Sequence, residues 1–230
     1  MMRQRFRLVL VRLGLLDRVR QLRGKVLPGL SKMEFPPYSD VLRGAIEASG
    51  DPVRYTALAL ALETVRQGVP GSLAEVGVYK GDLSHFIHWA LPDRKLYLFD
   101  TFEGFPEDDL EVDADERFRD TSLLYVKERV GGAENVIFRP GYFPDTVDGL
   151  EDERFAFVML DLDLFAPTIA GLEFFYPRLE PGGFLVLHDY NNPESDFAVS
   201  RAADKFFADK PEYLVAIPDR WGSVVIRKVS

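Results

Sequence analysis

The sequence predicts an α/β domain built on a mostly parallel β-sheet. The main evidence is the segment 155–192, whose pattern is typical of a strand, a helix, a tight turn and a second strand. The two strands, 155–160 and 184–187, are short apolar runs without polar alternation, as expected for strands buried on both faces of a sheet. A strand–helix–strand unit of this size favours a right-handed crossover between neighbouring parallel strands.

Length and composition limit the classes of protein that fit. A chain of 230 residues is long enough for one large α/β domain with a short appendage. The absence of cysteine excludes disulfides and cysteine nucleophiles, and it fits a cytoplasmic location. No apolar run approaches the ~20 residues that span a bilayer. The net charge of −9 argues against a nucleic-acid partner.

The charge is unevenly distributed along the chain. Residues 1–32 carry nine Lys or Arg and a single acid, Asp17, and apolar residues recur among them at helical spacing. We therefore predict a basic amphipathic helix and linker over residues 1–38, followed by the main domain over 39–230. Such a helix can lie on an anionic membrane surface, pack against a second copy of the chain or cover its own domain.

The other elements follow from local signals. Asp51 and Pro52 form a helix start, which predicts a helix to about Gln67. The helix that begins near Pro167 is predicted to end at a turn formed by residues 181–183. Strands 213–217 and 224–227 are predicted to form an antiparallel hairpin. The remaining predictions are strands 73–76, 95–99 and 135–139 and helices from 82 onward, over 122–130 and over 200–210.

A glycine loop follows the first strand, with the spacing Glu75-x-Gly77-x-x-x-Gly81. It matches neither the dinucleotide fingerprint nor a Walker loop. Glycines allow the backbone to approach a ligand closely, and an acid in such a loop suits a cationic group rather than a pyrophosphate. Tyr79 and Ser84, within and just after the loop, are further candidates for ligand contact.

A second acid, Asp100, ends the next strand, 25 residues after Glu75. At this place it can accept hydrogen bonds from ribose hydroxyls, with Thr101 beside it. Alternatively, Asp100 only caps the turn that follows. Two acids and a glycine loop suit an adenosyl ligand that has an ammonium group and no phosphates. S-adenosylmethionine is such a ligand.

Five sequence segments support a more specific interpretation: AEVGVYKGDLSHFI, LYLFDTFEGFP, GYFPDT, LDLDLF and FFYPRLEPGGFLVLHDYNN. Together, across residues 50–228, they resemble the macrocin O-methyltransferase family. Members are class I, S-adenosylmethionine-dependent enzymes that methylate sugar hydroxyls on natural products. The resemblance implies a Rossmann-like sheet of seven mostly parallel strands, with helices on both faces and a C-terminal antiparallel hairpin. It also implies a divalent cation, usually magnesium, beside the cofactor.

The resemblance also assigns roles to particular residues. Asp161 corresponds to a metal ligand that also borders the cofactor, and Asp163 corresponds to the general base. If the strand stays extended, the two side chains point to the same side. Tyr142 and Phe143 correspond to residues that lie against the adenine, although packing in the core would explain them equally well.

The pair His188 and Asp189 corresponds to two further metal ligands, which are usually both aspartates in characterised members. Imidazole is a poor ligand for magnesium but a good one for zinc, iron, nickel or manganese-like ions. The metal therefore differs, or His188 acts as the base instead, or the metal has been lost. A structural histidine bonded to a backbone carbonyl is the remaining alternative.

We expect an O-methyltransferase that acts, with the help of a metal, on a hydroxyl of a sugar or glycosylated small molecule. The acidic segment 106–120 is either a solvated loop or a lid over the site. Two other functions remain open: an O-methyltransferase for catechols or other phenols, and a non-catalytic adenosyl-binding scaffold that uses its basic helix for assembly.

Overall fold

A seven-stranded β-sheet organises the residues that the computed structural model describes, 40–104 and 118–230. These residues belong to the compact unit Ser39–Ser230. The predicted basic helix and linker lie outside the described residues, as does most of the acidic segment 106–120. Within the described ranges, no helix combines the length and apolar character needed to cross a membrane.

The strand order confirms the predicted fold class. The strands are β1 (Ser72–Val76), β2 (Leu96–Asp100), β3 (Val136–Pro140), β4 (Phe155–Leu160), β5 (Leu179–Leu187), β6 (Val215–Ile217) and β7 (Ser223–Arg227). They run in the order β3-β2-β1-β4-β5-β7-β6. Neighbours among the first five are parallel, whereas β7 is antiparallel to both β5 and β6.

The helices begin close to the predicted signals. In the helix Pro52–Arg66 the Asp51 side chain accepts a hydrogen bond from the Arg54 N–H at 3.1 Å, and a proline occupies the first turn. The first described helix, Asp40–Ala48, was not predicted. The helices are α1 (Asp40–Ala48), α2 (Pro52–Arg66), α3 (Asp82–Ala90), α4 (Leu123–Val130), α5 (Phe165–Phe175) and α6 (Ala198–Phe207), with 3-10 turns at Tyr176–Arg178 and Pro193–Ser195.

The apolar strands form the centre of the core, as their uninterrupted patterns predict. Every residue of β4 is buried, and the rings of Phe155 and Phe175 meet edge to face at 5.0 Å. Phe99 packs on Phe175 in the same way at 5.8 Å. This aromatic cluster joins α5 to the middle of the sheet, and edge-to-face pairs of this kind add to the stabilisation from burial alone.

The prediction of a turn at residues 181–183 is wrong. Helix α5 ends earlier, at Phe175, and residues 181–183 lie inside β5. The register explains this: Phe155 pairs with Leu179 but Phe157 pairs with Phe184, so β5 carries extra residues as a bulge. A β-carbon at Gly183 would lie 2.9 Å from the Ala156 carbonyl oxygen, so glycine permits the bulge rather than ending the strand.

The strand order reverses between β1 and β4, which is where open α/β sheets bind ligands. The chain runs very close to itself at this point. The Asp161 N–H donates to the Val76 carbonyl at 2.8 Å, and a β-carbon at Gly77 would lie only 1.9 Å from the Asp161 carbonyl oxygen. The Gly77 φ of 86° also favours glycine. This position therefore requires glycine for two independent reasons.

We expect Gly77→Ala to lower the free energy of unfolding by about 3 kcal/mol or more, because it combines backbone strain with a clash. Gly131→Ala is the matched control, since Gly131 has a φ of 89° but nothing near its β-carbon position. That variant should lose less than Gly77→Ala, because only the backbone strain remains. Urea unfolding measures both, and equal losses would show that the contact with Asp161 is unimportant.

Candidate active site

A cavity of about 580 Å³ opens at the carboxyl edge of the sheet. The ends of β1, β2, β4 and β5 line it, together with the turn that precedes β7. The structure thus brings most of the predicted site residues to one place. Those that line the cavity are Glu75, Gly77, Tyr79, Asp100, Thr101, Tyr142, Phe143, Asp161, Asp163, His188 and Asp189.

Glu75 is a buried carboxyl group in β1, with only 2% of its surface exposed. The hydroxyl of Ser84, itself fully buried, donates a hydrogen bond to Glu75 Oε2. Ser84 therefore contacts Glu75 rather than the cavity. Burial raises the pKa of Glu75 well above its usual value, although the bond from Ser84 opposes this. A cation bound beside Glu75 would offset the cost of its charge.

Asp100 holds the glycine loop in place. Its Oδ2 accepts hydrogen bonds from the N–H groups of Val78 and Tyr79 at 2.6 and 2.9 Å, and its Oδ1 accepts one from Phe102 at 2.6 Å. Asp100 therefore does cap the turn that follows, as in the alternative considered above. Its Oδ1 keeps a second acceptor position, so a ribose hydroxyl can still bind there.

The rest of the loop is tied to the segment before α4. The Tyr79 hydroxyl donates to Asp120 at 2.6 Å, and the Thr121 hydroxyl donates to the Tyr79 carbonyl at 2.6 Å. Gly81 precedes α3 with a φ of 77°, and a β-carbon there would lie 2.8 Å from the Val126 side chain. The Thr101 hydroxyl donates to the Gly104 carbonyl. These contacts fix the shape of the loop.

The two aromatic residues after β3 differ in their surroundings. Phe143 is 5% exposed, stacks on Phe175 at 5.9 Å and meets Phe99 edge to face at 5.7 Å. These contacts match the core-packing alternative, with only part of the residue reaching the cavity wall. Tyr142 is half-buried and lines the cavity, so it is the better candidate for contact with a planar ligand ring.

Three of the predicted residues form a compact cluster at the ends of β4 and β5. His188 Nδ1 lies 3.3 Å from Asp161 Oδ1 and 3.2 Å from Asp189 Oδ1. His188 is 6% exposed, and neither contact has hydrogen-bond geometry, so both ring nitrogens and Asp189 Oδ1 are buried without a hydrogen bond within the described structure. Buried polar atoms normally have partners, and a bound cation would satisfy these.

The surrounding carboxylates determine the charge of His188. Burial lowers its pKa, but the charge of Asp161 and the contacts with Asp161 and Asp189 outweigh this and raise the pKa to about 10. For Asp189, burial raises the pKa, but the contacts with His188 and Asp163 outweigh this and bring the pKa below its usual value. Without a bound metal, His188 is therefore protonated at neutral pH.

The condition for Asp163 to point to the same side as Asp161 is not met. Strand β4 ends at Leu160, and Asp163 has a φ of 58°, so the chain is no longer extended there. The Asp163 side chain instead interacts with Asp189, which also has a φ of 58°. Non-glycine residues in this region are strained, and such strain is concentrated at functional sites.

Sequence reasoning missed a group of residues from outside the central strands. Arg54 Nη1 lies 3.6 Å from Asp161 Oδ2. Asp51 and Asp219 offer oxygen atoms within 4.8 Å of a His188 nitrogen and of each other. Asp51 gave only a helix-start signal, and nothing in the spacing connects it to a turn near the C-terminus. The Arg220 N–H nevertheless donates to Asp51 Oδ2 at 3.0 Å.

The fold and the site together define a Rossmann-like methyltransferase domain, with a glycine loop and acid at β1 and an acidic cluster at β4 and β5. A family model described as Macrocin-O-methyltransferase (TylF) matches residues 51–211, well over half of the chain. The chain belongs to this family, as the sequence segments predicted.

Two curated relatives and one solved structure illustrate the similarity. The 8-demethyl-8-(2,3-dimethoxy-alpha-L-rhamnosyl)-tetracenomycin-C 4'-O-methyltransferase of Streptomyces olivaceus is 37% identical over 156 residues, covering 60% of each chain. The mycinamicin III 3''-O-methyltransferase of Micromonospora griseorubida is 34% identical over 161 residues, covering 61% of this chain and 63% of the relative. The chain thus spans about three fifths of their length.

The solved structure of the O-methyltransferase NovP superimposes with a TM-score of 0.65 at 26% identity, over 77% of this chain and 80% of that one.

The pKa of Glu75 predicts how stability depends on pH. Because the folded-state pKa is raised, the charged carboxylate costs stability as the pH rises above the unfolded-state value of about 4.3. Glu75→Gln should therefore stabilise the ligand-free protein at pH 8 by about 1 kcal/mol or more, and by less at pH 5.

Glu212→Gln is the matched control, because Glu212 is also buried but contacts with Tyr176 and Val229 lower its pKa. It should destabilise the protein at pH 8. Thermal unfolding at the two pH values measures both variants. A Glu75→Gln variant that is less stable than the wild type at pH 8 would contradict the pKa assignment.

Proposed function

We propose that this chain is an S-adenosylmethionine-dependent O-methyltransferase whose acceptor is a hydroxyl of a sugar or glycosylated small molecule. The observation that carries the proposal is one cavity shared by two kinds of site. Glu75 and the loop held by Asp100 suit the cationic adenosyl cofactor, and the cluster of Asp161, His188 and Asp189 suits activation of a hydroxyl. The relatives' names support a glycoside as acceptor.

The reaction is an in-line displacement at the methyl carbon. The acceptor oxygen forms a bond to the methyl group while the carbon–sulfur bond breaks and its electron pair stays on sulfur, giving S-adenosylhomocysteine. The hydroxyl proton must pass to a base, since a sugar hydroxyl is a poor nucleophile until it loses that proton. The protein has to hold the oxygen close to the methyl group and exclude competing water.

Asp163 is our candidate for this base. It lines the cavity and its side chain interacts with Asp189, which ties it to the cluster. His188 is the weaker candidate: without a metal its pKa of about 10 leaves it protonated at neutral pH, and with a metal its nitrogen would already be bound to the cation. We therefore assign the proton transfer to Asp163.

Asp161, His188 and Asp189 are the residues that would hold a divalent cation. Their ligand atoms lie within 4.8 Å of one another, and the unpartnered nitrogens of His188 and Asp189 Oδ1 fit the donor set of a metal site. A divalent cation supplies charge stabilisation and lowers the pKa of a bound hydroxyl. One imidazole among carboxylates favours manganese, zinc, iron or nickel over magnesium.

Location and assembly also belong to this proposal. We infer a cytoplasmic protein, since both the cofactor and the absence of cysteine fit that compartment. The basic segment 1–32 would contact an anionic membrane surface or a second copy of the chain.

The function is tested by supplying isotopically labelled S-adenosylmethionine with rhamnosides, other glycosides and catechol, and detecting methylated products by mass spectrometry. We expect transfer to a glycoside. Asp163→Asn should lower kcat by a factor of about 10² or more, because the base is lost. Binding of S-adenosylhomocysteine, measured by calorimetry, should change little.

Three other outcomes of these experiments would contradict parts of the proposal. Transfer only to catechol would indicate the phenol-type enzyme, and cofactor binding without transfer to any acceptor would indicate the scaffold. A fully active Asp163→Asn variant would exclude Asp163 as the base.

For the metal, we expect EDTA-treated protein loaded with S-adenosylhomocysteine to bind Mn²⁺ about tenfold more tightly than Mg²⁺, because His188 supplies a nitrogen ligand. Electron paramagnetic resonance of Mn²⁺, with Mg²⁺ as competitor, measures this ratio. The ratio should fall in His188→Asp, which replaces the nitrogen ligand with a carboxylate. If neither ion binds to the wild type, the site works without a metal.

A further inference from the structure

The turn at residues 218–222, between β6 and β7, forms a wall of the cavity and has no role in the proposed reaction as described above. Arg220 and Trp221 both line the cavity there. The turn is held firmly: the N–H groups of Tyr190 and Asn191 donate to the carbonyls of Gly222 and Trp221, both at 2.9 Å. It is thus attached to the chain that directly follows the His188–Asp189 pair.

Trp221 occupies an unusual position within this turn. Its φ is 64°, a conformation that a bulky residue rarely adopts, and the ring is only half-buried. Among the described contacts of this ring is the Arg220 guanidinium, 5.6 Å from the ring centre. Trp221 is not part of the buried core, so packing does not explain a large aromatic residue at a strained place.

The strand order shows which part of a substrate would meet Trp221. From β2 to β7 the order is β2-β1-β4-β5-β7, which is four strand spacings or roughly 19 Å. Asp100 and Glu75 mark the cofactor side at β2 and β1, and the acidic cluster follows at β4 and β5. The space beside the turn before β7 lies beyond the acidic cluster as seen from the cofactor side, and an acceptor can reach the cluster from there.

The chemistry of this wall suits a sugar. A pyranose ring presents C–H groups on one face, which pack on an aromatic ring, and hydroxyls at its edge, which need polar partners. Trp221 offers the aromatic surface. Asn192 and Glu194, from the segment to which the turn is attached, line the same cavity and offer polar atoms.

We propose that Trp221 is the platform on which the sugar ring of the acceptor lies, and that the turn 218–222 selects the acceptor. This inference rests on the proposed function, because it assigns the acceptor half of the same cavity. It predicts that Trp221 affects acceptor binding but not cofactor binding.

The chain has two tryptophans, which allows a direct test. Trp89 lies on α3 at 44% exposure, against His85, and does not line the cavity. Trp89→Phe therefore leaves Trp221 as the single tryptophan, and Trp221→Phe leaves Trp89, with excitation chosen so that tyrosine does not absorb. Methyl α-L-rhamnopyranoside is titrated into each variant with S-adenosylhomocysteine bound. Emission should shift saturably in Trp89→Phe and stay constant in Trp221→Phe. Constant emission in both would overturn the proposal.

Kinetics give an independent readout with the glycoside that the wild type methylates best. Trp221→Ala should raise the acceptor KM about tenfold or more, and Trp221→Phe should raise it less, since a smaller ring keeps part of the contact. The KM for S-adenosylmethionine should stay within about twofold, which also shows that the variant is folded.

An unchanged acceptor KM in Trp221→Ala would exclude Trp221 as the surface that binds the sugar ring, while leaving the proposed function intact. If the wild type methylates no glycoside at all, the proposed function fails and the assignment of a sugar to this wall fails with it.

Discussion

The close approach of β1 and β4 is the constraint on which the site depends. The strand order reverses there, so the chain leaves β1 towards one side of the sheet and β4 towards the other. The absence of a β-carbon at Gly77 lets the Asp161 carbonyl come within contact of the loop. Because of this, the loop of β1 and the acids of β4 open into one cavity rather than two. A methyl donor and its acceptor need such proximity.

The same geometry crowds negative charge into a small buried volume. Glu75 is buried with Asp161 and Asp100 near enough to raise its pKa further, and the described cations nearby are Arg54 and His188. Without a bound metal, the protonated His188 relieves this crowding. Such a site favours positively charged ligands, because each one removes repulsion that the folded protein otherwise bears. The sulfonium and ammonium groups of the cofactor and a divalent cation are ligands of this kind.

The sequence could predict those features that depend on local pattern. Buried strands, the Asp51 helix start and the antiparallel hairpin all have signals within about ten residues, and the structure has them. The bulge in β5 looked like a turn because proline and glycine give the same local signal in both settings. The entry of Arg54 and Asp219 into the site depends on which elements meet across the sheet. No periodicity in the sequence encodes that.

Side-chain direction was the other feature that the sequence could not predict, because it depends on backbone conformation and on tertiary packing. The side-chain direction of Asp163 depends on a positive φ just beyond the end of β4, and aspartate gives no clear signal for it. Similarly, Phe143 could serve a ligand or the core, and its contact with Phe175 was decided by the position of α5 rather than by neighbouring sequence. In both cases the sequence indicated a candidate residue, but the direction of its side chain followed only from the tertiary structure.

The histidine at position 188 has a physical reason within this chain. Asp161 and Asp189 contact His188 on one side, and Asp51 and Asp219 also lie within 4.8 Å of its ring. An aspartate at this position would add a further carboxylate between the two pairs that lie near the His188 ring, and like charges close together oppose each other's ionisation. Imidazole accommodates them because it can carry a proton or bind a metal. Asp51, just before α2, and Asp219, in the turn that carries Trp221, thus favour a histidine at position 188, and they connect it to the cavity wall formed by that turn.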